Sequence, residues 1–259
     1  MLRGLYTGWT GMVNEQKRLD VISNNMANAD TVGFKDDRVT SQAFDQVLGI
    51  KIRDGSQAYH NECIGSLSLG VKIGETYTDY SQGSVRQTGG TYDLALSGSG
   101  FFTVSVADKA GEVHTRYTRD GRFHLTKDGL LVDADGNAVQ GQNGNITIDP
   151  SSKNVSISAT GQITADGELV DTLNIVDFED YDYLKKYGDT MYEPVDGATT
   201  KDAEGEILQG YTEQSNVNVV REMVDMITIT RAYEANQKVI RSYDSMLDRA
   251  VNSVGRLNG

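Results

Sequence analysis

From Val217 to Val254 the chain reads VNVVREMVDMITITRAYEANQKVIRSYDSMLDRAVNSV, with neither Pro nor Gly. Within it Val219, Met226, Tyr233, Ile240, Leu247 and Val254 recur every seven residues. Ile229, Tyr243 and Ala250 fill a companion stripe three positions later, with Asn236 its one amide. Apolar residues at that period mark a coiled-coil seam, which a single helix does not leave in water. At 1.5 Å per residue such a helix spans roughly 55 Å. Gly255 suits the position just past its end, and Arg249 and Arg256 suit its negative pole. Ser215, Asn216 and Asn218 can each cap its start.

The other terminus offers a partner. Leu5, Met12, Leu19 and Met26 also repeat every seven residues, with Trp9, Gln16 and Ile22 beside them. Gly4, Gly8 and Gly11 fall on one face, and each costs about 1 kcal/mol in a helix relative to Ala. This helix therefore forms where its glycine face is pressed against another backbone. It either pairs with the C-terminal helix or packs as an amphipathic helix on its own domain. After Met26 the residues Ala27-Asn28-Ala29-Asp30-Thr31-Val32-Gly33-Phe34-Lys35 stop the helix near Ala29. Asn, Asp and Thr compete for backbone hydrogen bonds, and Gly33 permits a tight turn that aims Phe34 at apolar surroundings.

Between the helices the pattern changes. Residues 36–69 show no clear period and read as an extended connector with one helical turn or strand. From 70 to 214 the period is two, with turn dipeptides Asp120-Gly121, Asp128-Gly129, Asp135-Gly136, Asn143-Gly144 and Asp166-Gly167 between β-prone runs. Val71–Ile73, Thr91–Leu96, Phe101–Val106 and Leu173–Phe178 read as strands, and Tyr181 to Tyr192 as a tyrosine-rich loop or short helix. The fold class is α+β. The N- and C-terminal helices (1–35 and 215–259) pair as a coiled-coil-like domain around an inserted, mostly antiparallel β domain, barrel- or sandwich-like.

Composition narrows the function. Lys and Arg number 24 against 37 Asp and Glu, a net charge of −13, which argues against nucleic acid and anionic membranes as partners. Cys63 is the one cysteine, so no intramolecular disulfide forms. His60 and Cys63 make a conceivable metal pair, but too few other ligands exist for a zinc site. No apolar run approaches the ~20 residues that span a bilayer, and the N-terminus lacks the h-region of a signal peptide.

Chemistry is not evident either. Asp133-Ala134-Asp135-Gly136-Asn137 places Gly fourth, whereas a calcium loop of the EF-hand type needs it sixth, so a hairpin turn explains it better. Acidic pairs such as Asp36/Asp37 and Glu179/Asp180 are read as solvated surface rather than a glycosidase pair. Ser97-Gly98-Ser99-Gly100 is not a nucleophile elbow, and no phosphate loop follows a strand. The reading is of a protein with no catalytic residues, cofactor, metal or small-molecule substrate.

Three separated motifs carry a resemblance. Ser23-Asn24-Asn25-Met26-Ala27-Asn28-Ala29-Asp30-Thr31-Val32-Gly33-Phe34-Lys35 closes the first helix. Tyr92-Asp93-Leu94-Ala95-Leu96-Ser97-Gly98-Ser99-Gly100-Phe101-Phe102 leads on to Tyr117-Thr118-Arg119-Asp120-Gly121-Arg122-Phe123. Ser215-Asn216-Val217-Asn218-Val219-Val220 and Arg231-Ala232-Tyr233-Glu234-Ala235-Asn236 belong to the last helix. With these the chain resembles the flagellar rod and hook (axial) proteins, most closely the distal rod members. The resemblance implies a structural subunit of the flagellar basal body, exported unfolded through the flagellar type III apparatus. It also implies a helical homopolymer that meets neighbouring rod and hook proteins and transmits torque. Its assembly interface would use Leu5, Trp9, Met12, Leu19, Met26, Asn28, Gly33, Phe34, Asn216, Asn218, Met226, Tyr233, Asn236, Ile240, Tyr243 and Leu247. Rival readings are a proximal rod or hook-type subunit and, in another class, a carbohydrate-binding β module on a coiled-coil stalk.

Overall fold

The computed structural model describes residues 2–51, 62–108 and 111–256. His60 and the side chain of Cys63 lie outside the described residues, and with them the conceivable metal pair; the side chain of Val254 also lies outside them. The chain divides into two compact units. One comprises Met1–Asn25, Asp37–Tyr77 and Val219–Gly259; the other comprises Met26–Asp36 and Thr78–Asn218. We call them the helical and the β-rich unit. The segment read as a connector contributes most of its length to the helical unit, and it is more structured than expected. It holds strands Asp37–Ala43, Val47–Lys51 and Glu62–Leu67, of which the second and third pair antiparallel and the first pairs with Val71–Thr78.

Helix α1 runs Leu2–Ala27 and helix α2 runs Val219–Arg256. Thr228 and Thr230, poor helix formers, return their hydroxyls to the carbonyls of Val224 and Met226 (3.0 and 2.8 Å), which satisfies them inside α2. α1 stops where its sequence turns polar: Thr31 donates to Asn28 through both backbone N–H and hydroxyl. Gly33 then adopts φ +70°, and a Cβ there would lie 2.4 Å from the Asp120 nitrogen, so only glycine fits. Phe34 follows, fully buried.

The β-rich unit is built on a ten-stranded sheet. Its main path runs Leu184–Tyr187, Met191–Pro194, Val113–Thr118, Phe101–Ala107, Ala138–Gly141, Leu131–Val132 and His124–Leu125. The path has two free ends, so the expected barrel does not form among the described residues. Strand Phe101–Ala107 is central because it is apolar on both faces. Phe102 and Val104 enter a core with Leu94, Leu96, Leu131, Val139 and Ile163, while Phe101 points the other way to Phe178, Leu184 and Tyr192. Asp128-Gly129, Asp135-Gly136 and Asp166-Gly167 do lie between short strands, and Asn143-Gly144 closes the hairpin of Ala138–Gly141 with Gly144–Asn145, its glycine already in the second strand. At Asp166-Gly167 both residues have positive φ (50° and 93°), as a two-residue hairpin of type I′ demands.

Asp120-Gly121 forms a tight turn rather than a hairpin: the Asp120 carboxylate accepts from the Arg122 N–H (3.0 Å). Gly121 is needed because a Cβ would collide with the Leu94 carbonyl oxygen. Tyr181 to Tyr192 is a correction as well: a short 3₁₀ turn, Tyr181–Tyr183, leads into the hairpin Leu184–Tyr187 and Met191–Pro194.

Candidate functional site

In the helical unit the three glycines of α1 face α2. A Cβ on Gly4 would strike the Tyr243 ring, one on Gly8 would sit 3.3 Å from Ile240, and one on Gly11 would sit 3.0 Å from the Asn236 amide. Ascending positions on α1 thus meet descending positions on α2, and the helices pack antiparallel. The seven-residue stripe of α2 is the covered one: Val219, Met226, Tyr233, Asn236, Ile240, Tyr243 and Leu247 are half-buried and Ile229 is buried. Glu222, also in that stripe, is a buried carboxylate the apolar pattern does not disclose. On α1, Leu5, Met12, Leu19 and Met26 are half-buried, whereas Trp9 remains 53% exposed and Gln16 is exposed.

Two buried asparagines of α1 that sequence reasoning passed over hold the neighbouring strand. Asn14 exchanges hydrogen bonds with the Ser41 hydroxyl (3.0 and 3.1 Å). Asn25 donates to the Asp37 carbonyl (2.8 Å) and accepts from the Asp37 N–H (3.1 Å), in the manner of a backbone partner. Only the SNN motif around Asn25 hinted at this.

α2 also carries a second apolar stripe. Val220, Met223, Val224 and Ile227 are all at least half exposed, Val220 by 73%. They sit at spacings of three, four and seven, on one face of the helix.

The β-rich unit contains an ionic node. Lys35, 1% exposed, donates to Glu213 Oε1 (2.6 Å) and to the Ser81 carbonyl (2.8 Å). Arg119 reaches Glu213 Oε2 (3.2 Å) and the Gly98 carbonyl (2.9 Å). Glu213 accepts in addition from the Gly83 N–H (3.0 Å), and its carbonyl takes the Gly33 N–H (2.9 Å). Burial draws the Lys35 ammonium below its ordinary value, against the opposing pull of Glu213. Asn216 braces the same region, accepting from the Asp36 N–H and donating to the Asp79 carbonyl, each at 2.8 Å. Lys186 stands 4.0 Å over the Phe34 ring and donates to the Lys35 carbonyl. Gly33, Phe34 and Asn216 are therefore packed inside this unit, Asn28 is half-buried in the turn leading to it, and Asn218 is exposed.

The described residues hold no cluster of three or more metal-binding side chains. Asp133 accepts from the backbone of Asp135 and Asn137, which is the turn role expected of it.

Comparison with known proteins gives the arrangement a family. A model described as flagella basal body rod protein matches residues 5–35. A second, flagellar hook protein FlgE/F/G D1 domain, matches 95–165, and a third, flagellar basal body rod FlgEFG protein C-terminal, matches 208–253. The chain is 36% identical over 276 residues to the flagellar basal-body rod protein FlgG of Bacillus subtilis, an alignment covering 97% of this chain and 99% of that one. It belongs to the flagellar basal-body rod family. Caulobacter vibrioides supplies two further relatives. Its FlgG is 36% identical over 95% of this chain and 97% of its own, and its FlgF is 33% identical over the full length of both.

This is a structural family, so the chain is a flagellar rod subunit of the basal body and not an enzyme. Each family segment supplies one charge of the node: Lys35 lies in the first, Arg119 in the second and Glu213 in the third. Three stretches far apart in this chain are thus clamped at one buried carboxylate.

Proposed function

We propose that this rod subunit builds the distal rod, where copies of the chain self-assemble into a helical tube that carries torque from the motor to the hook. Its partners are further copies of itself and the neighbouring rod and hook proteins. The chain reaches them unfolded, through the flagellar type III export apparatus. The distal assignment rests on the resemblance carried by the three sequence motifs.

The observation that carries self-assembly is that both ends of the chain meet in one unit and leave apolar side chains in water. The heptad stripes of α1 and α2 then form a coiled-coil-like seam, whose ordering is completed in the polymer. Charge points to the same unit. The helical unit holds 13 Lys and Arg against 12 Asp and Glu (+1), and the β-rich unit the remaining 11 against 25 (−14). Close approach of β-rich units is opposed by their charge, while helical units meet without that penalty.

The test is electron microscopy of concentrated purified protein at moderate salt. Straight tubes are expected. Closed oligomers of fixed size, with sugar affinity in the β-rich unit, would replace this reading with the stalked carbohydrate-binding module.

A further inference from the structure

We infer that the contact between copies is made by the second stripe of α2 (Val220, Met223, Val224 and Ile227), which receives Tyr6 and Trp9 of α1 from another copy of this chain. The inference rests on the homopolymer reading and deepens it by naming the two mating patches. The seven-residue stripe, the obvious candidate from sequence, is already covered within the protomer. Gly4, Gly8 and Gly11 bring α1 onto it at Tyr243, Ile240 and Asn236. What stays in water is different: on α2 the four apolar side chains of the second stripe form a compact patch, while exposed Val239, Met246 and Val251 are spread over residues 239–251, and on α1 the Tyr6–Trp9 pair is 60% and 53% exposed. Two aromatic anchors opposite an aliphatic patch that includes a pliable Met are what a specific contact needs.

The positions of the patches determine how copies join. The antiparallel packing sets Tyr6 and Trp9 level with residues 236–243 of α2. The second stripe, centred near Val224, is then about 25 Å away along the helix. The patches cannot meet within one protomer. A second copy displaced along the helices by about that distance brings them together, and each copy keeps one patch of each kind free. Such a heterologous contact does not close on itself, so it propagates. The occupant is a second copy rather than a charged partner because the helical unit is nearly neutral, at 13 cations to 12 anions.

The experiment uses the full chain with Cys63→Ser, which removes its single thiol. Trp9→Cys and Val224→Cys are prepared separately, mixed, and treated with a short bismaleimide. A cross-linked dimer is expected in the mixture and in neither protein alone. In parallel, Val224→Asp is expected to raise the concentration needed for assembly by about tenfold or more, with unchanged circular dichroism, since an ionised side chain replaces a buried contact. A Val224→Cys homodimer, or a Val224→Asp protein that assembles like wild type, overturns the inference while the homopolymer stands. Failure of the wild-type chain to assemble at any accessible concentration overturns the homopolymer reading, and this inference with it.

Discussion

Glu213→Gln tests the node directly. The substitution keeps shape and two polar atoms but removes the one negative charge that faces Lys35 at 2.6 Å and Arg119 at 3.2 Å. All three side chains are at most 5% exposed, so water cannot take over the lost interaction. Removing one partner of a buried pair costs about 3–5 kcal/mol, chiefly because the surviving charge is stranded, and here two cations lose their shared partner, Lys35 keeping only the weaker pull of Asp79. The β-rich unit has about 150 residues. For that size, a loss of about 4 kcal/mol lowers Tm by roughly 8–16 °C. The assay is thermal and urea unfolding followed by near-ultraviolet circular dichroism. That signal reports the packed rings of Tyr80, Phe101, Tyr181 and Tyr192 in this unit, whereas the single tryptophan, Trp9, lies in the other. Adding Lys35→Met to Glu213→Gln should recover part of the loss, although Lys35→Met alone is destabilising. A Glu213→Gln cost below about 1 kcal/mol, or one that vanishes at high salt, would refute the reasoning, because those are properties of an exposed pair.

Three further predictions follow from single sites. Gly33→Ala should destabilise the β-rich unit by at least about 1–3 kcal/mol in urea unfolding, since φ is +70° and a Cβ would lie 2.4 Å from the Asp120 nitrogen. Asn25→Ala should cost about 1–3 kcal/mol by stranding the N–H and carbonyl of Asp37, and the Asp37 amide should exchange with solvent markedly faster. Tyr181 should ionise late in an ultraviolet alkaline titration, because burial and then its hydrogen bond to Asp177 (2.7 Å) push its phenol up to about 12. The folded state keeps that proton longer than the unfolded state does, so the phenol's stabilising contribution is complete below pH 10.0 and is lost as pH rises from there to about 12. Tyr181→Phe should remove both the late step and that part of the alkaline instability.

How much was legible depended on whether a feature is local. The helices could be read because a seven-residue period lies wholly within each stretch, and the glycine face of α1 named its own requirement. Four of the five turn dipeptides could be read because positive φ is a demand of one or two residues. The fifth, Asp120-Gly121, is a tight turn whose Gly121 answers to the Leu94 carbonyl, a contact no local pattern encodes. Strand Asp37–Ala43 escaped notice because its seven positions run from half-buried to exposed without alternation.

The node was invisible for the strongest reason. Lys35 and Glu213 are 178 residues apart, and each looks like an ordinary surface charge in its own stretch. The seven-residue period marks the face of α2 that meets the glycines of α1 at Tyr243, Ile240 and Asn236, but a period cannot say whether a partner helix comes from the same copy or the next. The second stripe became visible only once the first was seen to be occupied.

The central claim is that the helical unit is where copies of this rod subunit meet. Hydrogen exchange read by mass spectrometry, in dilute solution and again after assembly, tests it most directly. The account predicts that amides of α1 and the first turns of α2 gain protection on assembly, while core strand Phe101–Ala107 is equally protected in both states. Protection gained in the β-rich unit instead, with the helices unchanged, would contradict it.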